Sequence, residues 1–285
     1  MILLRQFLRN LVLAFLSAGA LITSLACGTT QIRVQNGPIV YAKGGQTVKE
    51  LVDSLPPTGG IVSLGIGAWS SGYNSTDLIT KPNITIQGSG MPGYNSTFAG
   101  ISGGTIVQGH LPASPGADYF TVTSLGVDVS PAYINASNGG IATDAFFIVN
   151  KNGQVLGARQ VESPRIENVS CLGHSPTAAV HCMLAENVNH AYVHNVVTAM
   201  NCHGLALKGT NSTVDGVYAK GHGIDAVIVE SDDYAPTSKD DLSTITIEPL
   251  IAAGDTKGII KRFTAALSHI SVSHAAIRSP LAWGV

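Results

Sequence analysis

The sequence predicts an all-β protein made of many short strands and tight turns. Among its 285 residues, 45% are hydrophobic, only 12% are charged and 32 are glycine. Val, Ile and Thr suit pleated strands, while Gly and Asn supply the positive φ angles of tight turns. A chain of this length and composition can bury a substantial core, so we expect it to be folded rather than disordered.

Repeats in the second half predict that these strands stack as a solenoid. The segments RIENVSCL, YVHNVVTA, TVDGVYAK and HISVSHAA each contain two aliphatic residues with two spacers between them. In the first three, Ile166, Val193 and Val214 lie 27 and 21 residues apart, in the range of solenoid repeats. One coil cannot bury its own apolar face, so we expect consecutive coils to stack with strands about 4.8 Å apart.

The first 27 residues have the layout of a secretory signal. Arg5 and Arg9 precede an apolar run over 11–25, and small residues follow. We expect this segment to be cleaved, with retention as an anchor as the alternative, and we assign residues 28–285 to one β domain. The protein is therefore expected to be secreted, periplasmic or located in the cell envelope.

The end of this leader bears on lipid anchoring and on charge. Cys27 follows Ser24-Leu25-Ala26, which resembles the lipoprotein processing site of bacteria, so lipid attachment at Cys27 and ordinary cleavage nearby are the alternatives. Cleavage removes two cations and no acids, which moves the net charge from −2 to about −4. A mildly acidic chain without a run of Lys or Arg argues against nucleic acid as a partner.

The first element after the leader is predicted to be a short amphipathic helix. Thr47, with Glu50 three residues later, forms a capping-box pattern at the start of VKELVDSL. One helical face carries Val48, Leu51, Val52 and Leu55. The following PPTGG ends the helix, and IVSLGIGAW then alternates as a strand does.

The segment after this strand resembles a known family. The helix, a Thr-Gly-Gly, a short strand and then KPNITIQGSG over Lys81–Gly90 resemble the N-terminal cap and first coils of right-handed parallel β-helix proteins of the pectate-lyase-like superfamily, the pectin lyase fold. Gly65-Ile66-Gly67 departs from the Pro-rich turn that is more usual there. The resemblance implies a right-handed parallel β-helix solenoid with a short N-terminal capping helix.

Two stretches repeat less clearly than the others. Residues 114–152 contain ADYFTVT, VDVSPAYI and DAFFIVN, which we interpret as strands of coils with insertions. Residues 238–263, SKDDLSTITIEPLIAAGDTKGIIKRF, are predicted to form an excursion such as a hairpin that projects from the solenoid. The pattern resumes at ALSHISVSHAA and stops in mid-coil, which indicates either a longer protein or a partner chain that covers the last coil.

Cysteine and asparagine are assigned structural roles. After Cys27 the chain has an odd number of cysteines, all in one region: Cys171, Cys182 and Cys202. We therefore expect that a disulfide framework does not organise the fold. One pair could form in an oxidising compartment, but buried thiols stacked in the core are the preferred interpretation. Six Asn-x-Ser/Thr triplets are predicted to be turn residues that hydrogen-bond from coil to coil rather than glycan acceptors.

Histidines that precede glycine are the first candidates for chemistry. The motifs CHG and GHG each lead into a strand, which would place His203 and His222 at the same position on adjacent coils. Such an imidazole pair could act in acid and base catalysis, and the alternative is that each His finishes a turn. His190 and His194 lie four residues apart, but in a region of strand and turn this spacing is not a helical zinc pattern.

An acidic stretch is the second candidate. GIDAVIVES is predicted to be a strand, and Asp232 and Asp233 follow its end, where loops on a rigid scaffold bind ligands. Together with Asp225, these carboxylates could hold Ca²⁺, which takes several oxygen ligands. Alternatively, the Asp pair could supply the acid and the base of glycoside cleavage.

The superfamily implies two chemistries for these residues. Its pectinolytic hydrolases use an Asp pair and a Gly-His-Gly, although here GHG precedes the Asp pair instead of following it. Its lyases use calcium-binding carboxylates and a cationic base that removes the proton α to a uronate carboxylate, and Lys208, Lys220 or Arg165 is the candidate base. Calcium would also let an acidic protein attract an acidic polysaccharide.

The sequence therefore favours a secreted β-helix protein that acts on or binds polysaccharide, as a lyase or glycoside hydrolase on a uronate-containing chain. The predicted catalytic residues are Asp232, Asp233, His203, His222, Lys208 and Lys220, and the predicted metal ligands are Asp225, Asp232 and Asp233. The alternative is a non-catalytic adhesin, structural or tail-spike-like protein. The low and scattered aromatic content favours that alternative, because sugar-binding clefts usually stack rings on Trp or Tyr.

Overall fold

The computed structural model describes residues 37–73, 77–94, 101–114, 116–129, 146–148, 161–173, 181–199, 203–221, 225–231, 239–248, 257–262 and 269–277. The predicted signal segment, the lipid site at Cys27 and the domain boundary after it lie outside these residues. Contacts divide the chain into Met1–Asn36 and Gly37–Val285, and the described residues all belong to the second unit. No helix within the described ranges is long and apolar enough to cross a membrane.

The described residues form one helix, two large sheets and a small strand pair. The helix is α1 (Val48–Ser54). The first sheet contains β1 (Ile39–Tyr41), β2 (Gly60–Ser63), β3 (Gly67–Ser70), β4 (Ile84–Gln87), β7 (Thr105–Gln108), β9 (Thr121–Asp128), β12 (Arg165–Leu172), β14 (Tyr192–Ala199), β16 (Thr213–Lys220), β18 (Lys239–Glu248) and β20 (His269–Ile277). The second contains β8 (Leu111–Ala113), β10 (Phe146–Ile148), β11 (Val161–Glu162), β13 (His181–Asn189), β15 (His203–Thr210), β17 (Asp225–Ser231) and β19 (Lys257–Arg262). The pair is β5 (Gly93–Tyr94) and β6 (Ile101–Ser102).

The long strands run parallel and alternate between the two large sheets along the chain. The first sheet is ordered β9-β12-β14-β16-β18-β20 in this part, and the second is ordered β8-β10-β13-β15-β17-β19. Neighbouring strands are parallel in both sheets, and only β5 and β6 are antiparallel among the described pairs. An all-β protein with parallel sheets and one helix is therefore confirmed. The right hand and the closure of the solenoid stay predictions.

The strand register confirms the predicted repeats. Ile166 pairs with Val193, and Val193 pairs with Val214. These three side chains are buried, with at most 2% of their surface exposed. Further along the sheet, Leu242 and Val272 occupy the same register position. The repeated aliphatic residues therefore mark one position in successive strands of the first sheet.

Within residues 238–263, the described residues 239–248 and 257–262 belong to the two large sheets and not to the predicted excursion. Strand β18 lies between β16 and β20 in the first sheet, and β19 continues the second sheet, all in parallel pairing. The segment Leu242-Ser243-Thr244-Ile245 has the same aliphatic spacing as the other repeats. The prediction is wrong for these strands because the acidic SKDD, which favours a loop, contributes the first three residues of β18. A strand can begin on charged residues when they precede its first core position.

The long strands of the first sheet bend where one residue has a positive φ angle. These residues are Ser124 (φ 57°), Asn168 (54°), Asn195 (50°) and Gly216 (73°). The strand pairing skips this position in each case. Across the bend, Asn195 Nδ2 donates to Asn168 Oδ1 at 2.7 Å. The predicted hydrogen bond between turn asparagines of adjacent coils is therefore confirmed here.

The N-terminal helix α1 forms as predicted. Thr47 Oγ1 accepts from the Glu50 amide, and the Glu50 carboxylate accepts from the Thr47 amide, which completes the capping box. The face made of Val48, Leu51, Val52 and Leu55 is buried. The strand predicted from IVSLGIGAW is divided, because residues 64–66 leave the extended pairing between β2 and β3.

Cys171 and Cys182 form a disulfide, with their Cα atoms 5.7 Å apart. Cys171 lies in β12 and Cys182 in β13, so the bond joins the two large sheets. Both side chains are fully buried, as predicted. The preferred interpretation as free thiols is wrong for this pair, because consecutive strands of one coil bring the two sulfur atoms together.

Candidate functional site

A polar face lies on the outside of the first sheet, ahead of the bend. Because side chains alternate along a strand, the residues that flank the buried Ile166, Val193 and Val214 point away from the core. They are Arg165 and Glu167 on β12, Tyr192 and His194 on β14, and Thr213 and Asp215 on β16. All six are at least partly exposed to solvent. We call these six residues the outer face.

A row of two carboxylates and one imidazole crosses the outer face. The register places His194 between Glu167 and Asp215. His194 Nδ1 lies 3.3 Å from Asp215 Oδ2, and the two side chains are 40% and 36% exposed. The Nδ1 atom is buried and does not make an aligned hydrogen bond, so the pair is a close polar contact. This contact holds one edge of the imidazole against the next coil.

Two further groups complete the outer face. The rings of Tyr192 and His194 are stacked, with centroids 5.9 Å apart and planes 19° apart. The Arg165 guanidinium carbon lies 4.8 Å from the centre of the Tyr192 ring, a cation–π distance. Arg165 Nε donates to Glu167 Oε1 at 2.6 Å, and a terminal guanidinium nitrogen lies 2.5 Å from the same oxygen. The outer face therefore joins a cation, a phenol, an imidazole and two carboxylates over three coils.

A second histidine lies at the corner where β13 passes into β14. His190 adopts a φ of 52°, and its Nδ1 lies 2.9 Å from Glu162 Oε1. Asn189 Nδ2 donates to Glu162 Oε2 at 2.8 Å, and Ser163 Oγ also donates to this carboxylate. Glu162 therefore ties two coils together, and the corner has a structural role. His190 is 57% exposed and also contacts a carboxylate, so it is a matched control for His194.

The register gives the strand neighbours of one histidine of the predicted pair, His203. His203 begins β15, where it pairs with His181 on one side and with Asp225 on the other. The repeat of CHG and GHG predicted His222 at the position that Asp225 occupies, and His222 precedes Asp225 by three residues in the sequence. The pairing of His203 with His222 stays a prediction. His222 itself lies outside the described residues.

The cations predicted as bases lie in different places. Lys208 is in β15 of the second sheet, in register with Glu186 and Glu230. Lys220 ends β16, beyond the bend in that strand. Neither lysine belongs to the outer face. Arg165 does belong to it, but its contacts with Glu167 suit a binding cation better than a base.

The predicted calcium ligands do not share one end of a strand. Asp225 is the first residue of β17 and Ser231 is the last. At a rise of about 3.3 Å per residue these ends lie about 20 Å apart, whereas Ca²⁺ binds oxygen at about 2.4 Å. A site at the end of β17, where Asp232 and Asp233 follow in sequence, would therefore not include Asp225. No group of three or more His, Cys, Asp or Glu among the described residues could hold a metal, and Asp232 and Asp233 lie outside them.

The sequence contained a signal for the outer face that the prediction did not use. In the aligned segments RIE, YVH and TVD, the residue after each core aliphatic is Glu167, His194 or Asp215. Strand alternation is enough to place these three side chains in one exposed row. The motifs CHG and SDD resemble known site patterns, and they favour other residues as the site.

Comparisons with known proteins give one weak structural match. No family model matches the chain, and no curated protein matches it. Among solved structures, the A-module of a mannuronan C-5 epimerase from Azotobacter vinelandii is 13% identical, with a TM-score of 0.30, over 81% of this chain and 93% of that chain. A match at this level of identity and TM-score carries no argument about function.

Proposed function

We propose that the outer face acts on a uronate-containing polysaccharide, and that the reaction begins with removal of the C5 proton next to the uronate carboxylate. The observation that carries this proposal is the exposed His194, held 3.3 Å from Asp215 on the next coil and stacked on Tyr192. With Arg165 beside Tyr192, the set contains a base, a proton donor and a cation for the carboxylate.

His194 is the group that takes the proton. Histidine exchanges protons readily near neutral pH and is the most frequent general base in enzymes. Asp215 occupies the Nδ1 side of the ring, which leaves Nε2 as the nitrogen that accepts the proton. Asp215 is therefore a positioning residue: it keeps the imidazole in one orientation and stabilises the charge that the ring gains.

Arg165 is the group that binds the substrate carboxylate. Removing a proton next to a carboxylate places further negative charge on that group, so a cation must already be in position. The guanidinium has five N–H donors, and the contacts with Glu167 go to a single oxygen atom. The remaining donors can bind a carboxylate in the paired geometry that Arg favours. Glu167 positions Arg165 in this proposal.

Calcium and a location outside the cytoplasm remain part of the proposal. Asp232 and Asp233 are kept as proposed calcium ligands on their sequence alone. The described residues supply no site for the ion, so we assign it no step. The disulfide between Cys171 and Cys182 supports a secreted or cell-envelope location, because such bonds persist in oxidising compartments.

The proposal is tested by following the C5 proton of polyuronates in D₂O by NMR, with product analysis in parallel. The panel contains polymannuronate, polyguluronate, polygalacturonate and glucuronan, each with and without calcium. We expect loss of the C5 proton from at least one polymer. His194→Ala should lower the rate by about 10²-fold or more, the usual contribution of a general base.

His190→Ala is the matched control, because it removes an exposed histidine with a carboxylate partner that lies outside the outer face. We expect it to keep the wild-type rate. The proposal is overturned if no polymer in the panel reacts or exchanges its C5 proton. It is equally overturned if His194→Ala and His190→Ala have the same rate as the wild-type protein.

A further inference from the structure

The two aromatic rings of the outer face fix the side from which a sugar is approached. Tyr192 and His194 are two residues apart on β14, so both side chains leave the same face of the sheet. Their ring centroids are 5.9 Å apart. A sugar ring between them would need contact distances of about 3.5–4.0 Å on each side, which is more than this gap provides. Both residues therefore reach the substrate from one side.

We infer, on the basis of the proposed function, that the reaction is a same-face elimination in which His194 is the base and Tyr192 is the acid. This chemistry requires a uronate whose C5 hydrogen and O4 oxygen lie on the same side of the sugar ring. In 4-linked mannuronate and glucuronate they lie on the same side. In guluronate and galacturonate they lie on opposite sides. The substrate class is therefore a 4-linked mannuronate or glucuronate chain.

The step balances within the chain's own residues. His194 Nε2 takes the C5 proton, and the electron pair of the C5–H bond forms a double bond between C4 and C5. The C4–O4 bond breaks, and O4 leaves with the preceding sugar after taking the hydroxyl proton of Tyr192. The proton held by His194 then passes to the Tyr192 oxygen through solvent, which restores both groups. No oxidant or reductant is needed.

The other two reactions on a uronate fit the outer face less well. Inversion at C5 needs a proton delivered to the side opposite the base, whereas Tyr192 and His194 share one side. Hydrolysis needs two carboxyl groups that flank the glycosidic bond. The carboxylates of the outer face, Glu167 and Asp215, instead hold Arg165 and His194 in place.

Arg165 has a second role in this inference. Its guanidinium carbon lies 4.8 Å from the centre of the Tyr192 ring. Its ion pair with Glu167 holds it on the outer face. A substrate carboxylate bound to Arg165 would thus sit next to Tyr192, whose ring is stacked with that of His194. That placement brings C5, which bears the carboxylate, to the base, and brings the adjacent C4–O4 bond to the acid.

The experiment compares unsaturated product from the four polymers with deuterium uptake into unreacted substrate in D₂O. We expect polymannuronate or glucuronan to react at least about tenfold faster than polyguluronate and polygalacturonate. Tyr192→Phe should lower elimination by about 10²-fold. Because its base is intact, this variant should still exchange C5 protons with solvent, a result that a merely structural role would not produce. Tyr218→Phe, beyond the bend in β16, is the control and should behave as wild type.

The outcomes separate this inference from the proposed function. Turnover that depends on His194 but prefers polyguluronate or polygalacturonate overturns the inference and leaves the proposed function standing. So does inversion at C5 without an unsaturated product, or full elimination activity in Tyr192→Phe. Absence of any reaction or exchange on all four polymers overturns the proposed function, and the inference with it.

Discussion

At the scale of single residues, Tyr73 has a buried hydroxyl group that meets no hydrogen-bond partner among the described residues. Its side chain is 9% exposed. Burial raises the pKa of Tyr73 well above its ordinary value, with smaller contributions from the charges of Asp53 and Asp77. The neutral phenol is therefore tolerated in the folded state, while the phenolate is strongly disfavoured.

Tyr73→Phe is expected to raise the free energy of unfolding by about 1 kcal/mol at neutral pH, because a buried polar group without a partner is costly. The gain should grow above about pH 10, where the unfolded chain releases the Tyr73 proton and the folded chain retains it. Below that pH the raised pKa has no effect on stability. Urea unfolding at neutral and at alkaline pH measures both effects.

Tyr41→Phe is the matched control, because Tyr41 is 68% exposed and the substitution does not remove a buried hydroxyl group. It should change stability little at either pH. A destabilised Tyr73→Phe protein would contradict the prediction and would show that the hydroxyl group has a partner in solution.

At the scale of elements, helix α1 is held to the first coils by Lys81. The Lys81 ammonium group donates to the backbone oxygens of Val52, Asp53 and Leu55 at 2.9, 2.9 and 2.8 Å. These carbonyl groups lie at the C-terminal end of α1, where a helix lacks internal partners and favours positive charge. Lys81 belongs to KPNITIQGSG, so the motif that suggested the fold also caps its helix.

Lys81→Met should therefore lower the free energy of unfolding by about 2 kcal/mol, because charge-assisted hydrogen bonds contribute about 1.5–3 kcal/mol. The methionine keeps the length of the side chain and removes the donors. Amide hydrogen exchange should increase first in α1. Urea unfolding and exchange together check the prediction.

Lys49→Met is the control on the same helix. Lys49 makes a surface ion pair with Asp53, and such pairs contribute little to stability. Equal effects of the two substitutions would contradict a capping role for Lys81.

The elements also show how far the sequence alone leads. The capping box at Thr47 and the aliphatic repeats at Ile166, Val193 and Val214 could be predicted, because each depends on local spacing that one segment carries by itself. Strand β18 has the same aliphatic spacing, at Leu242 and Ile245, yet the sequence around it favours a loop. Its aliphatic pair follows an acidic run, and only pairing with two neighbouring strands shows that it belongs to the sheet.

The candidate site was less predictable for a related reason. Glu167, His194 and Asp215 are far apart in sequence and share only their position after a core aliphatic residue, yet parallel register places them side by side. His203 and His222 do form a repeated motif, but the register places Asp225 rather than His222 beside His203. In a parallel sheet, the register decides which residues are neighbours. A difference of a few residues in the length between strands places two copies of a motif at different register positions.

At the scale of the whole molecule, the outer face exists only because three strands from distant parts of the sequence pair side by side. Strands β12, β14 and β16 each contribute two of its six residues, and β14 pairs with both of the others. Stability and function should therefore be coupled through the stacking of β12, β14 and β16. The disulfide is placed to secure this part of the molecule, because Cys171 lies in β12 and bonds to β13 of the second sheet.

Replacing both Cys171 and Cys182 with Ala should lower the free energy of unfolding by about 3 kcal/mol. The bridge closes a loop with a sequence separation of 11, and closing a loop of this size restricts the unfolded chain by about that amount. The corresponding fall in Tm is about 6–12 °C for a domain of this size. Calorimetry of the oxidised wild-type protein and of the double variant measures the difference. Hydrogen exchange should rise first in β12 and β13, because the bridge joins these two strands.

Cys202→Ala is the control, because it removes a cysteine that the bridge does not use. This variant should have the same Tm as the wild-type protein. Reduction of the wild-type protein should reproduce the double variant, and alkylation before reduction should leave Cys171 and Cys182 unmodified. If the double variant melts at the wild-type temperature, the bridge does not stabilise the stack. If both cysteines are alkylated without reductant, the bond is absent in solution, and the support that it gives to a location outside the cytoplasm is lost with it.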